Sequence, residues 1–313
     1  AIQLVNGTTN PIYVNAANWD AASTLTVATG AKLRFMSSSD FTWSRAITGG
    51  SGTVEITNDG TPGEGNVIFT ANNSGFSGNI DLNAGSLRMG PSLGSGTLTV
   101  KNGTFISVGL PATNGTSQVG ALTLEDGTES DFRIGAANDL ISVTNALTPP
   151  ASGTHTINIT GTPTAGGTIK LINYGGTALD TTQFSRFALG IVPTGAATYE
   201  LVNNTADTSV DLLITLEDQI WKAGTDGNWD STTPNWVMET ATSTPVAFNF
   251  ENPSVFNDTA AIFAVTVDAG GVSPTKTTFN NSVNDYTLSG GSINGAGSLN
   301  KSGTATTTLA QSN

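Results

Sequence analysis

The sequence predicts an all-β chain wound as a parallel β-helix, with a less regular β segment in its middle. Three observations carry that expectation. Residues 78–90 (GNIDLNAGSLRMG) are echoed by 96–109 (GTLTVKNGTFISVG) and by 120–135 (GALTLEDGTESDFRIG). Each copy is a short alternating strand, a tight turn ending in Gly85, Gly103 or Gly127, and a second alternating strand. A repeat on the order of 20 residues is too small to bury its own apolar face, so copies must stack. Turn dipeptides such as Asn102-Gly103, Asp126-Gly127, Asp226-Gly227 and Asn294-Gly295 punctuate strands of period two along nearly the whole chain. Finally, the 313 residues include 37 glycines and only 11% charged residues, less than half the usual share. Disorder goes with high charge and few β-formers, so this composition points to a folded β protein.

The elements follow in order. Residues 1–135 read as regular coils. Equal phase about the turn glycines places Leu82, Val100 and Leu124 on one inward ladder, and Leu87, Phe105 and Phe132 on another. Residues 136–217 read as an irregular β-rich closing segment. Pro149, Pro150, Pro163 and Pro193 interrupt it and belong in loops, because proline in a central strand removes a ladder hydrogen bond. The one helix candidate is 180–189 (DTTQFSRFAL), with Asp180 or Thr181 as its cap and Gly190 beyond its end. Residues 218–313 read as a Trp-rich opening and the first coils of a further module.

A longer repeat supports that division. Leu25-Thr26-Val27 matches Val265-Thr266-Val267, Phe35 matches Phe279, and Phe41-Thr42-Trp43-Ser44 matches Tyr286-Thr287-Leu288-Ser289. Gly50-Ser51-Gly52 matches Gly295-Ala296-Gly297. Residues 306–313 (TTTLAQSN) also resemble 66–73 (NVIFTANN), and residues 1–8 (AIQLVNGT) resemble 79–86 (NIDLNAGS). Placing the last residue before the first rebuilds one coil. Ile2, Leu4, Val5, Leu309 and Ala310 are therefore the expected assembly interface, with copies or neighbouring repeats meeting head-to-tail. Ala1 is read as a residue exposed by cleavage, or as the first residue of a piece of a longer chain.

Charge bounds the partners. A net charge of −13 repels phosphate backbones, so nucleic acid is not an expected partner. No apolar run approaches the roughly 18 residues that would span a bilayer as a helix. Cysteine is absent, so stability is expected from burial and hydrogen-bonded ladders.

Candidate chemistry is sparse. His155 is the only histidine, so a zinc site is not expected, and it reads as an exposed strand residue. No G-x-S-x-G elbow is present for a serine nucleophile. The adjacent acids Glu125-Asp126 and Glu217-Asp218 would point to opposite faces of a strand, which does not converge them as glycoside hydrolysis requires. Arg34 and Arg88 have no acidic cluster nearby in sequence. Asp226, Asn228 and Asp230 have the spacing that opens a calcium loop, but Ser231 and Val237 stand where Gly and Glu would be needed. Trp221, Trp229 and Trp236 suit buried packing at the module seam, or a glycan-stacking platform through Trp221 and Trp229. No cofactor is expected.

The run from Tyr286, YTLSGGSINGAGSLNKSGTATTTL, and that from Val67, VIFTANNSGFSGNIDLNAGSLRMG, resemble the autotransporter-associated β-strand repeat. Lys301 falls on the lysine of that pattern, and Phe76 stands where tyrosine is usual. Residues 221–236 (WKAGTDGNWDSTTPNW) are similar to the Trp-rich opening of such modules, and 199–215 (YELVNNTADTSVDLLIT) to their closing segment. The resemblance implies a right-handed parallel β-helix (solenoid) on large secreted bacterial surface proteins, and no catalytic residues. The expected function is thus a non-enzymatic extracellular structural protein, one repeat of a fibre or stalk at the bacterial cell surface. An adhesin binding extracellular glycans and a polysaccharide-degrading β-helix enzyme are the alternatives.

Overall fold

The computed structural model describes residues 2–4, 24–35, 40–57, 66–110, 112–193, 197–249 and 251–311. It is a right-handed, mostly parallel β-solenoid. Contacts divide it into two compact units: Ala1–Pro163 with Thr168–Pro193 and Tyr199–Leu213, and Ile214–Asn313 with Thr164–Gly167 and Thr194–Thr198.

In the first unit the repeated strands stack in register. One sheet runs Lys32–Phe35, Thr53–Ile56, Asn79–Leu82, Thr97–Val100, Ala121–Leu124 and Leu147–Thr148, every pair parallel. Alternation sends every second side chain inward, so Leu82, Val100 and Leu124 form the expected buried ladder. Coil spacing is tight where each copy begins. A Cβ on Gly96 would stand 1.9 Å from the carbonyl oxygen of Gly78, and one on Gly120 1.8 Å from that of Ser95. Only glycine lets the backbones approach this closely.

The second sheet runs Phe41–Trp43, Asn66–Phe69, Ser86–Met89, Phe105–Val108, Thr128–Ile134, His155–Gly161 and Phe187–Leu189. Here one expected ladder is corrected. Leu87 pairs with Ile106 and then Ser130, whereas Phe105 pairs with Ser86 and Glu129 and is half-buried on the outer face. The cause is one extra residue in the turn. Thr104 folds inward and donates from Oγ1 to the Lys101 carbonyl at 2.6 Å, and Thr128 does the same to Glu125 at 2.7 Å. The arc after Gly85 lacks that residue, and a slip of one inverts every side chain beyond it.

The third side begins with Ile2–Leu4, Leu25–Val27 and Ile47–Gly49. It narrows to single bridges at Asn72 and Ser92, then widens into a sheet of Thr116–Val119, Leu140–Val143, Gly167–Tyr174, Ser209–Leu216 and Ala197–Asn204. These later strands reach eight residues, which is the irregular middle in physical form. All four prolines of the middle segment lie outside strands, as expected. The helix is shorter than its pattern: only Thr181–Phe184 is helical, capped reciprocally by Asp180 and Gln183. Phe187–Leu189 instead joins the second sheet beside His155–Ile157, where ladder bonds and burial of Phe187 outweigh a weak helical pattern.

The second unit opens antiparallel and continues parallel. Trp236–Met238 lies between Gln219–Trp221 and Ala241–Val246, with Pro245 on the outermost strand, where it displaces no inner ladder bond. From Gln219–Trp221 the sheet proceeds in parallel through Ser254–Asn257, Lys276–Asn280 and Ser298–Lys301. A second sheet stacks Asn228–Trp229, Ala264–Val267, Tyr286–Gly290 and Thr307–Leu309.

The long repeat is real in part. Phe35 and Phe279 hold like places, as do Phe41–Trp43 and Tyr286–Leu288, each followed by a coil of the same phase. The match of Leu25–Val27 with Val265–Val267 is corrected. Leu25 pairs with Ile47 on the third side, but Val265 pairs with Leu288. Val272, bridged to Ile293, takes the corresponding position. A longer turn before Phe279 absorbs the difference.

Candidate functional site

The last described rung of the second unit keeps the register of the coils before it. Thr277 faces inward and pairs with Leu299, and Phe279 faces inward and pairs with Lys301. Leu299 and Lys301 therefore occupy core positions, yet Leu299 is 55% exposed because no described strand lies beyond it. Phe279, Leu299, Lys301, Thr307 and Leu309 line a hollow of about 310 Å³ there. Lys301 lays its stem in that place and turns its Nζ outward to the carbonyls of Asn281 and Gly303.

Carboxylates staple each turn to the coil before it. Asp258 accepts from the backbone N–H groups of Ser282, Asn284 and Val283 at 2.8, 2.9 and 3.1 Å. Those donors hold its pKa below the usual carboxylate range. Asp285 accepts from Thr306 at 2.7 Å, and Asn281 donates to the carbonyls of Asn284 and Thr306. Side-chain hydrogen bonds thus tie the last described rung to the coil before it.

Of the expected assembly residues, Leu309 is half-buried at this rung and pairs with Leu288, in the phase that Phe69 has opposite Trp43. Ala310 follows it, its N–H bonded to the Leu288 carbonyl at 2.8 Å. Val5 lies outside the described residues. The backbone of Ile2–Leu4 pairs with Leu25–Val27, so this strand belongs to the third side. That corrects its likeness to Asn79–Leu82, which belongs to the first sheet.

The acids of the calcium spacing are engaged by protein donors. Both Asp226 oxygens are taken within their own turn, by Asn228 N–H at 2.9 Å, Asn228 Nδ2 at 2.8 Å and Asn235 Nδ2 at 2.7 Å. Asp230 accepts from the N–H and hydroxyl groups of Thr232 and Thr233. Burial works against its charge, but these donors outweigh burial and keep its pKa low. Among the described residues no three His, Cys, Asp or Glu side chains are grouped to hold a metal. Asn235, which no motif in the sequence marks, is the hub of this turn. It is fully buried, and its Oδ1 accepts from Thr225 and Asp226 N–H.

Trp221, Trp229 and Trp236 are all fully buried; the Trp236 ring centroid lies 5.1 Å from Trp221 and 5.3 Å from Trp229, and Phe256 packs against all three. No ring face of Trp221 or Trp229 is open to a glycan. Packing, not stacking on sugar, is their structural role.

His155 is a correction. It is fully buried, because Thr128 pairs with it and turns it inward. Its Nδ1 lies 2.7 Å from Thr128 Oγ1 and its Nε2 2.9 Å from Ser130 Oγ, with Phe187 edge-on at 5.9 Å. Burial pushes its pKa down to about 3, so it is a neutral core residue at pH 7. Glu125 pairs with Lys101 at 2.6 Å, while Asp126 accepts from Thr154 N–H. Glu217 accepts from Thr240. Arg34 and Lys32 both clasp Glu55 on the outer face of the first sheet. None of these brings two free carboxylates together.

No family model matches the chain, and no curated protein matches it. Among the described residues no helix is long and apolar enough to cross a membrane.

Proposed function

We propose that this chain is a non-enzymatic structural segment of an extracellular β-helical fibre or stalk at a bacterial cell surface, of the kind that autotransporter-associated repeats build. One observation carries the reading: in both units successive strands stack in parallel at a constant register, a module that can be repeated coil upon coil. A parallel edge with free N–H and C=O groups over exposed apolar surface accepts a further strand pair. A contact between unlike faces of identical copies does not close on itself and grows as a filament. The partner in this reading is a further coil of the same kind, from the same chain or another copy.

Electron microscopy of the native material tests this, with filaments expected. Boiling in SDS separates the two sources. A continuous chain runs far above 31.9 kDa, and a stacked polymer collapses to that mass. A monodisperse particle at native concentration, with the Leu299 rung protected from solvent by its own chain, would refute the reading. Polysaccharide hydrolysis by the purified protein, lost on mutating Glu125 or Asp126, would favour the enzyme alternative instead.

A further inference from the structure

The extra turn residue Thr104 has a chemical consequence on the outer face of the seven-stranded sheet. Three successive strands there present six outward side chains in register. Ser86 and Arg88 lie on the first, Phe105 and Ser107 on the second, Glu129 and Asp131 on the third. Rungs lie about 4.8 Å apart and side chains two residues apart point the same way, so the array is about the size of one or two sugar rings.

Its composition is specific. Phe105 is half-buried, one aromatic face among polar neighbours. Arg88 and Asp131 flank Ser107 on either side and feel each other's charge, yet no salt bridge joins them among the described residues. Ser107 is 1% exposed, and its Oγ has no hydrogen-bond partner among the described residues. Glu129 is exposed and held in place by Asn158 Nδ2 at 3.0 Å, which is itself fixed by Ile191 N–H at 2.9 Å. Burial raises the pKa of Asp131, against the opposing pull of a hydrogen bond from the Asn158 side chain and the charge of Arg88.

We propose that this face, centred on Phe105, Arg88 and Asp131 with Glu129 at its rim, binds a neutral glycan chain. The apolar C–H face of a pyranose lies on Phe105, adjacent hydroxyls donate to Asp131 and Glu129, and another accepts from Arg88. The net charge of −13 disfavours an anionic polymer over the same surface. The site does not depend on stacking at Leu299, so either proposal can fail alone.

Calorimetric titration of the intact chain tests it, using β-1,4-linked hexamers of glucose and of N-acetylglucosamine, with hexagalacturonate as the acidic comparator. Saturable binding of at least one neutral hexamer is expected, with a Kd on the order of 10 μM to 1 mM. Phe105→Ala and Asp131→Asn should each weaken it at least about tenfold while Tm stays close to that of the parent, and Lys222→Ala should leave it unchanged. If Phe105→Ala fails to fold, Asp131→Asn and Arg88→Gln decide. No binding of either neutral hexamer at about 5 mM would overturn the proposal, as would affinity indifferent to these substitutions. Tighter binding of hexagalacturonate would overturn the neutral-ligand assignment.

Discussion

The first and second units bury their interiors by different means. In the first, mostly aliphatic side chains stack in rows: Leu33, Val54, Ile80, Leu98 and Leu122 on one rung position, and Ile56, Leu82, Val100 and Leu124, with Phe35 at the end of the row, on the next. In the second, Trp221, Trp229, Trp236, Phe248, Phe256, Phe279 and Tyr286 form one aromatic cluster, met by an antiparallel strand pair where the parallel coils begin. A ladder needs only equal phase from coil to coil and can be extended indefinitely. A cluster needs several segments to meet once, and it starts or ends such a run. The difference also fixes where damage is tolerated, since a ladder position is core only while a coil lies on both sides of it.

The largest effect should come from Val100→Asp, which buries an unpaired charge between Leu82 and Leu124. A loss of at least about 5 kcal/mol is expected, read as loss of the folded first unit in urea titration followed by circular dichroism. Unchanged stability would mean that the ladder is not the core. Trp229→Ala should cost about 3–5 kcal/mol by opening a cavity beside Trp236, Phe248 and Phe256. It should act on the second unit's transition and spare the first, which two-probe unfolding can resolve.

Acid comes next. His155 is neutral when folded and takes a proton when unfolded, so its contribution is complete above the unfolded pKa of about 6.5. It is lost as pH falls from there toward the folded value of about 3. By pH 4.5 the loss should reach about 2.7 kcal/mol, and His155→Gln should flatten that slope. Carboxylates with lowered pKa values, such as Asp226 and Asp258, lose their contributions only at lower pH. A stability profile flat from pH 7 to 4.5 in the parent protein would show His155 to be solvated. The smallest effect on folding should be Leu299→Asp, an inward rung position like that of Val100 but open to solvent. Monomer stability should shift by less than about 0.5 kcal/mol, while sedimentation should report loss of self-association. The pair Val100→Asp and Leu299→Asp therefore measures what a covering coil contributes.

Much of the fold was legible in the residues. Period-two alternation with turn glycines at recurring intervals required stacked strands, and it placed Leu82, Val100 and Leu124 inside. The prolines at 149, 150, 163 and 193 marked loops because proline lacks the N–H a ladder needs. Burial of three tryptophans near one seam was also readable from their size and spacing.

What the tertiary structure alone decided was the count of residues between strands. Alternation gives the faces of a strand relative to each other, but not which of them points inward after a turn. Thr104 consumes one position by bonding back to Lys101, so Phe105 faces out beside Glu129 and Ile106 takes the core place. The same count sets His155 on Thr128, inside, where two hydroxyls meet both ring nitrogens and no charge is needed. Residues 187–189 became strand for a related reason, since a free edge beside His155–Ile157 offered ladder bonds that a four-residue helix could not match by lengthening. Local sequence holds the preference for strand and turn, whereas register is a property of two segments at once, settled only when they pack.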